Sequence, residues 1–442
     1  MDAAQENGSE QNKEESRQVQ VRFTTKLPPE LKVPSTSFAV PANLTRYGLS
    51  EVINTLLGHE KPQPFDFLVE GELVRTSLEK LLLIKDISAE KILNIEYILA
   101  VAPPNKEEPL LHNDWVSAVD GSCSSFIFSG SYDNIGRIWK ADGSCTHVLE
   151  GHRDAITSAA FVKMQDYNLN SLNLATASKD RTLRLWQFIP NEHTTDVKMV
   201  RPCKLLRGHT NSVQTVSASP NGNLICSGSW DCSIKIWQVS GELDIESNGG
   251  LLKKRKLEDA AIPTKQLDSQ IEASKTLEGH TQCVSSVVWF EKDTIYSASW
   301  DHSVRSWDVE TGVNANTLSC GKVLLCLSIG GENSALIAAA GADSVLRIWD
   351  PRLPGSLKPI LQLSSHKSWI SACKWHAESK HHLISASYDG TVKLWDIRSK
   401  VPLATLEAHT DKVLCADWWK GDRIVSGGAD SKLQIFSNLN IR

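Results

Sequence analysis

The chain has 442 residues, more than one ordinary core accommodates, and its 41% apolar and 22% charged content is that of a globular protein. A net charge of −5 gives no overall field for nucleic acid, although a local basic patch is enough to hold RNA. No run approaches the ~18 apolar residues of a membrane-spanning helix, so two soluble domains and no membrane partner are expected.

Residues 1–17 are polar, mixed in charge and without the apolar core of a signal peptide; they read as a disordered leader of an intracellular protein. Residues 18–101 read as a small α+β domain. Val19, Val21 and Phe23 alternate with polar neighbours, a strand with one buried face, and 38–40 supplies a partner strand. Leu49, Val52, Ile53, Leu56 and Leu57 follow helical spacing, with Gly58 where a helix ends. Residues 65–69 and 93–99 add two strands, with the turn Glu70-Gly71-Glu72-Leu73 and residues 76–83 between them. This is the order of a ubiquitin-like β-grasp. No diglycine tail follows, and Ala102-Pro103-Pro104-Asn105 opens a linker over 102–108, so the domain reads as a fused docking module.

From residue 109 to 442 one hairpin recurs. At Ile384-Ser385-Ala386-Ser387-Tyr388-Asp389-Gly390-Thr391-Val392-Lys393-Leu394-Trp395 a strand, a tight Asp-Gly turn and a second strand follow each other. The Asp stands six residues before an aromatic in seven places: Asp133/Trp139, Asp180/Trp186, Asp231/Trp237, Asp301/Trp307, Asp343/Trp349, Asp389/Trp395 and Asp430/Phe436. Upstream of six of them a His stands four residues before a β-branched residue, at His112, His152, His209, His280, His366 and His409. Gly-His and Trp-Asp are explicit in several copies, which resembles the WD-repeat family. Seven such units imply an all-β, seven-bladed propeller behind the ubiquitin-like domain. The last repeat ends at Phe436 without an outer strand, so residues 109–111 are expected to close its blade.

An Asp, a His and a hydroxyl also make a hydrolase triad, but an enzyme needs one site and here the trio is repeated. With Ser129, Thr176, Ser227, Ser297, Ser385 and Ser426 each four residues before its Asp, the pairs Asp133/His112, Asp180/His152, Asp231/His209, Asp301/His280, Asp389/His366 and Asp430/His409 read as structural hydrogen-bond networks. The fifth repeat loses both partners together, with Lys322 at the His place and Ala339 at the hydroxyl place, which leaves Asp343 untied. Ten cysteines without a Cys-x-x-Cys pair read as small buried apolar residues, and no phosphate loop or metal cluster is present; no enzyme, no catalytic residue and no intrinsic cofactor or metal is expected.

The interval from Trp237 to Trp307 is long, and the excess, residues 241–274, reads as a disordered loop carrying Lys253, Lys254, Arg255 and Lys256, a basic run of the kind an importin grips.

Arg46-Tyr47-Gly48-Leu49-Ser50, Pro64-Phe65-Asp66-Phe67-Leu68 and Gly71-Glu72-Leu73-Val74-Arg75-Thr76-Ser77-Leu78 resemble the Notchless-type N-terminal domain of ribosome-assembly factors. With seven WD repeats behind it and a basic insertion between the third and fourth, the chain resembles the WD-repeat factors that assemble with the Pescadillo and Bop proteins (PeBoW). The resemblance implies a scaffold for large-subunit maturation and rRNA processing in nucleolus and nucleoplasm, bound to the pre-ribosomal large-subunit particle, with direct RNA contact left open. It also implies that the propeller docks on Bop, and that the AAA ATPase Midasin takes a glutamate of the ubiquitin-like domain as a ligand of its own Mg²⁺. That glutamate stands three residues before the Leu-Asn opening the last strand; here Leu93-Asn94 places it at Glu90, with Glu72, Asp86 and Glu96 as displaced rivals. The alternative is a substrate receptor of a cullin ubiquitin ligase, suggested by Trp349-Asp350-Pro351-Arg352 and Trp395-Asp396-Ile397-Arg398.

Overall fold

The computed structural model describes residues 17–58, 61–88, 91–101, 104–163, 171–189, 197–239, 269–331, 335–352 and 358–439, and the chain divides after Val101 into two compact units. The first contains β1 (Gln18–Thr24), β2 (Ser37–Pro41), α1 (Arg46–Leu57), β3 (Phe65–Val69), β4 (Glu72–Leu73), α2 (Leu78–Lys85) and β5 (Leu93–Leu99). They form one sheet in the order β2-β1-β5-β3-β4, with β1 and β5 parallel and Val21 opposite Leu93. That is the β-grasp arrangement read from the element order. Val19, Val21, Phe23, Ile95 and Tyr97 line the buried face of the sheet, and α1 and α2 cover it with Leu49, Ile53 and Leu78. α1 stops where Gly58 takes a left-handed φ of 65° and returns its N–H to the Asn54 carbonyl at 3.0 Å, a conformation that costs a residue with a Cβ.

The three motifs quoted above meet in one place. The Asp66 carboxylate, almost fully buried, lies 2.6 Å from Arg46 Nε and 3.5 Å from Arg75 Nη1. A buried carboxylate needs cationic partners, so Arg46, Asp66 and Arg75 clamp α1, β3 and the segment after β4. Two boundaries differ from the sequence reading. Arg17 is not part of a free leader, since its carbonyl accepts the Ala42 N–H at 2.7 Å; and Glu72-Leu73, read as a turn, forms a short strand against Val69 and Leu68.

Among the described residues the second unit contains seven sheets. Their innermost strands are Val116–Asp120, Ile156–Val162, Val213–Ala218, Val284–Phe290, Leu324–Gly330, Ile370–Trp375 and Val413–Trp419. Each begins at the β-branched or Leu residue after the His position, because that side chain is fully buried. Hydroxyls carry the ring from blade to blade. Thr157 Oγ1 donates to the Val213 carbonyl at 2.7 Å, Ser285 to Leu324 at 2.8 Å, Ser371 to Val413 at 2.7 Å and Ser117 to Ile156. The ring closes where the Gly121 N–H donates to Asp417 Oδ2 at 3.2 Å.

The last blade is completed by the chain entering the unit, Leu110–Leu111 pairing with Leu433 and Lys432. The linker reading of 102–108 is too long, however. Asn105–Lys106 already pairs with Ser437 and Phe436, and the Glu107 N–H donates to the Ile435 carbonyl at 2.9 Å, so the closing strand runs to the very end of its partner. The disordered reading of 241–274 also needs correction. Its last part is ordered: Ser269–Ile271 pairs in parallel with Lys204–Arg207, Ile271 and Ala273 pack on a core between the second and third blades, and the Ser274 N–H donates to the Ile236 carbonyl at 2.8 Å. Lys198–Val200 likewise adds a parallel fifth strand outside Cys145–Leu149. Three-residue strands with only one or two apolar side chains carry too little periodicity to be read from sequence.

Candidate functional site

In five blades the expected trio is assembled. His152, His209, His280, His366 and His409 place Nδ1 2.7–3.0 Å from Asp180, Asp231, Asp301, Asp389 and Asp430. Their Nε2 atoms lie 2.7–2.9 Å from Thr176, Ser227, Ser297, Ser385 and Ser426. In four of these blades the indole N–H of Trp186, Trp237, Trp307 or Trp395 donates to the same hydroxyl oxygen at 2.8 Å. A carboxylate only accepts, so Nδ1 carries the proton and Nε2 receives that of the hydroxyl. Every polar atom is thereby used, and the hydroxyls are wholly buried. None of these five hydroxyls faces solvent. The arrangement ties the hairpin turn to the preceding loop, with each hydrogen bond to the charged carboxylate worth roughly 1.5–3 kcal/mol.

The first blade corrects the expectation. His112 Nε2 meets Ser129 at 2.8 Å and Trp139 donates to the same oxygen at 2.7 Å, but Nδ1 faces the Leu110 carbonyl at 3.4 Å, and Asp133 pairs with Arg137 at 2.8 Å. Asp343 of the fifth blade is not untied either, since Arg347 holds it through two bonds of 2.6 and 3.1 Å. Nor does Lys322 take the His place there: the Cys320 N–H donates to the His302 carbonyl at 2.8 Å, as the His409 N–H does to Gly390, so Cys320 stands at that position. Two positions explain both. Two residues after the Asp, Thr182, Ser233, Ser303 and Thr391 each donate a hydroxyl to the carboxylate at 2.6 Å. Where Ile135 and Val345 stand instead and an Arg lies four residues after the Asp, the guanidinium takes the carboxylate. The seventh blade lacks the hydroxyl too, but with Gln434 at the fourth place no guanidinium competes and His409 keeps Asp430.

The Gly of Gly-His belongs to the same geometry. A Cβ on Gly151 would lie 2.7 Å from Arg184 Nη1 and 3.1 Å from Trp186 Cη2, and one on Gly279 would meet Arg305 and Trp307 at 2.9 and 3.0 Å. The bare backbone gives the cation room to lie away from the Asp. In the first blade Leu111 occupies that place, and Arg137 turns to Asp133.

Burial sets the ionisation of the trios. It pushes His152, His366 and His409 below the usual histidine value, while their Asp partners pull the other way. His112 falls to about 4 because burial is joined by the Arg137 charge. Burial alone would raise the Asp carboxyls, but the hydrogen bonds they accept outweigh it, leaving Asp389 at about 2 and Asp180, Asp231 and Asp301 lower still. Neutral imidazole on carboxylate is the resting state.

Glu90 and the run Lys253, Lys254, Arg255 and Lys256 lie outside the described residues. Around Glu90, Asp86 takes a left-handed φ of 53° and ends α2, and Leu83, Ile84 and Ile92 expose 74%, 78% and 46% of their surface. The rivals Glu72 and Glu96 are engaged, with Lys85 at 3.5 Å and Lys26 at 3.4 Å. Among the described residues no group of three or more His, Cys, Asp or Glu is arranged to hold a metal ion, and no cysteine is in a disulfide. The two Trp-Asp-x-Arg segments close on themselves: Arg352 clamps Asp350 at 2.8 Å and Arg398 clamps Asp396 at 2.6 Å. Those arginines stiffen turns.

Residues 19–82 match the NLE (NUC135) domain, and 143–187, 200–238, 272–308, 357–396 and 400–437 match the WD domain, G-beta repeat. The two hairpins outside these matches, at Asp133 and Asp343, are the two whose carboxylate is held by arginine. Proteins named "Ribosome biogenesis protein WDR12 homolog" align from end to end. That of Oryza sativa subsp. japonica is 56% identical and covers 96% of this chain and 98% of the relative; that of Arabidopsis thaliana is 55% identical with the same coverage. The Dictyostelium discoideum protein of that name is 37% identical over 99% of this chain and 98% of the relative. The chain belongs to the WDR12 family of ribosome biogenesis proteins, an NLE domain followed by a WD-repeat propeller.

Proposed function

We propose that the chain is a non-enzymatic scaffold of large-subunit assembly and rRNA processing, acting in nucleolus and nucleoplasm on the pre-ribosomal particle. The propeller docks on a Bop partner within a complex that includes Pescadillo. The N-terminal unit hands the assembly to the Midasin ATPase. The observation that carries this reading is the end-to-end similarity to ribosome biogenesis proteins, with both modules in one order. Architecture supports it, since the repeated trios are buried and used internally, which leaves the surface for partners.

Glu90 is the residue through which Midasin engages. A near-octahedral Mg²⁺ site that is one oxygen short accepts a carboxylate offered by a partner, and Leu83, Ile84 and Ile92, near in sequence and exposed, offer apolar contact. The chain holds no metal of its own in this scheme; Mg²⁺ belongs to the partner. Glu90→Ala abolishes Midasin capture while leaving thermal unfolding and Bop binding unchanged. Glu90→Asp weakens capture, because the oxygens retreat by roughly 1.5 Å against a shell at about 2.0–2.1 Å. Normal capture by Glu90→Ala in Mg²⁺, with wild type indifferent to EDTA, contradicts the assignment. The run at Lys253, Lys254, Arg255 and Lys256 promotes nuclear entry; alanine at all four shifts the protein towards the cytoplasm when partner-borne import is blocked, and unchanged nucleolar staining refutes that role. The clamped Arg352 and Arg398 give the cullin-receptor reading no support.

A further inference from the structure

At the hairpin turn and outer strand of the second blade lies a pocket of about 210 Å³ walled by Arg153, Arg181, Arg184 and Arg207. Arg153, Arg181 and Arg207 are exposed, and none of the three has a carboxylate partner among the described residues. One acid, Asp180, reaches the wall, and it is consumed by His152 Nδ1 at 2.9 Å, the Arg153 N–H at 3.0 Å and the Thr182 hydroxyl at 2.6 Å. The carboxylates of the adjoining loops are also engaged locally, Asp114 on the Trp115 N–H and Asp154 on the Ala155 N–H, each at 2.7 Å. Asp180 keeps its negative charge, but four arginines outnumber it, so the pocket carries net positive charge in a planar, forked form suited to phosphate oxygens.

An aromatic platform lies on the other side of the same hairpin turn. Trp115, 42% exposed, lies 5.4 Å from Tyr132, and the Lys179 ammonium sits 4.2 Å above the Tyr132 ring. Lys179 directly precedes Asp180, so one hairpin turn carries both the lysine over the aromatic pair and part of the arginine wall. An acidic peptide or a phosphorylated side chain would use the arginines and leave the indole idle. A single-stranded nucleic acid uses both, since every base has a face to stack and every linkage a phosphate.

We infer that this quadrant of the propeller binds single-stranded RNA, with a backbone phosphate in the arginine pocket and an adjacent base stacked on Trp115. The site is distinct from the N-terminal docking role proposed above and does not depend on it.

The test uses the full-length chain carrying alanine at Lys253, Lys254, Arg255 and Lys256, so that the basic run contributes nothing. Fluorescence anisotropy with a labelled short oligouridine, and with a duplex of the same length, is measured over a salt series. Single strand binds and duplex binds at least about ten-fold more weakly, because paired bases offer no free face. Trp115→Ala lowers single-strand affinity about ten-fold and leaves the salt slope unchanged. Arg153→Ala with Arg207→Ala flattens the slope by about 0.7 for each phosphate contact removed. Both sites are exposed, and unchanged circular-dichroism melting shows that the variants are folded. Absence of single-strand binding overturns the inference. So does equal binding by Trp115→Ala, or displacement by a polyglutamate peptide as effective as by RNA, which would assign the pocket to acidic protein segments. Glu90→Ala bears on the docking role alone and leaves RNA binding intact.

Discussion

The fifth and sixth blades share a backbone plan and differ in what fills it. In the sixth, Trp395 donates to Ser385, Ser385 to His366 and His366 to Asp389, and the Lys367 N–H closes on the same carboxylate at 2.9 Å. In the fifth, Ala339 and Cys320 stand in for the serine and histidine, Arg347 holds Asp343 within its own hairpin, and the Trp349 indole N–H meets no acceptor among the described residues. Both blades bury their tryptophan to 1% exposure or less. Apolar packing is therefore enough to form a blade. The network adds a bond between the turn and the loop before it, and the fifth blade lacks that bond.

Acid exposes the difference on the largest scale. A histidine whose folded pKa is depressed contributes stability that is fully present above the unfolded value of about 6.5 and is lost as pH falls towards the folded value. For His112, lowered to about 4, the loss between those limits is about 3 kcal/mol, and His152, His366 and His409 act in the same direction. The Asp partners have depressed values, so their contribution persists to lower pH and disappears only as pH falls through about 2 for Asp389. The denaturation midpoint should drop steeply from pH 6.5 to 4. A flat profile there contradicts neutral buried imidazoles.

His366→Ala comes next. It strands Asp389 and Ser385 together and should cost about 3 kcal/mol, whereas Cys320→Ala at the matching half-buried place of the fifth blade breaks no such trio and should cost at most about 1 kcal/mol. Equal midpoints in denaturant would show that the trio adds nothing. A smaller contrast separates the tryptophans. Trp395→Phe leaves Ser385 without its donor, while Trp349→Phe removes an N–H that already lacks an acceptor, so the second variant should be the milder by about 1 kcal/mol. The reverse order would place a hidden partner on Trp349.

Much of this was legible because repetition multiplies a weak signal. The Asp-to-aromatic interval located all seven hairpins, and the alternation of Val19, Val21 and Phe23 with the helical spacing from Leu49 fixed the β-grasp order. The trio was legible in five blades and misassigned at Asp133. There the deciding residues were Ile135, Arg137 and Leu111, each ordinary alone and meaningful only when the three surround one carboxylate. The strands Asn105–Lys106, Lys198–Val200 and Ser269–Ile271 escaped because they are held by ladder bonds to a neighbour rather than by a pattern of their own. The arginine pocket escaped for the same reason, since Arg153, Arg181 and Arg207 are far apart in sequence and meet only when the strands of the second blade pair, Arg207 opposite Thr182.

Native-state hydrogen exchange tests the central claim, that the network and not the packing fastens each turn. Amides of Leu336–Gly341 in the fifth blade should exchange faster than those of His382–Ser387 in the sixth, although both strands are buried along their whole length. His366→Ala should bring the sixth blade's rate to that of the fifth. Equal protection in the native protein, or a sixth blade unmoved by His366→Ala, would contradict the account.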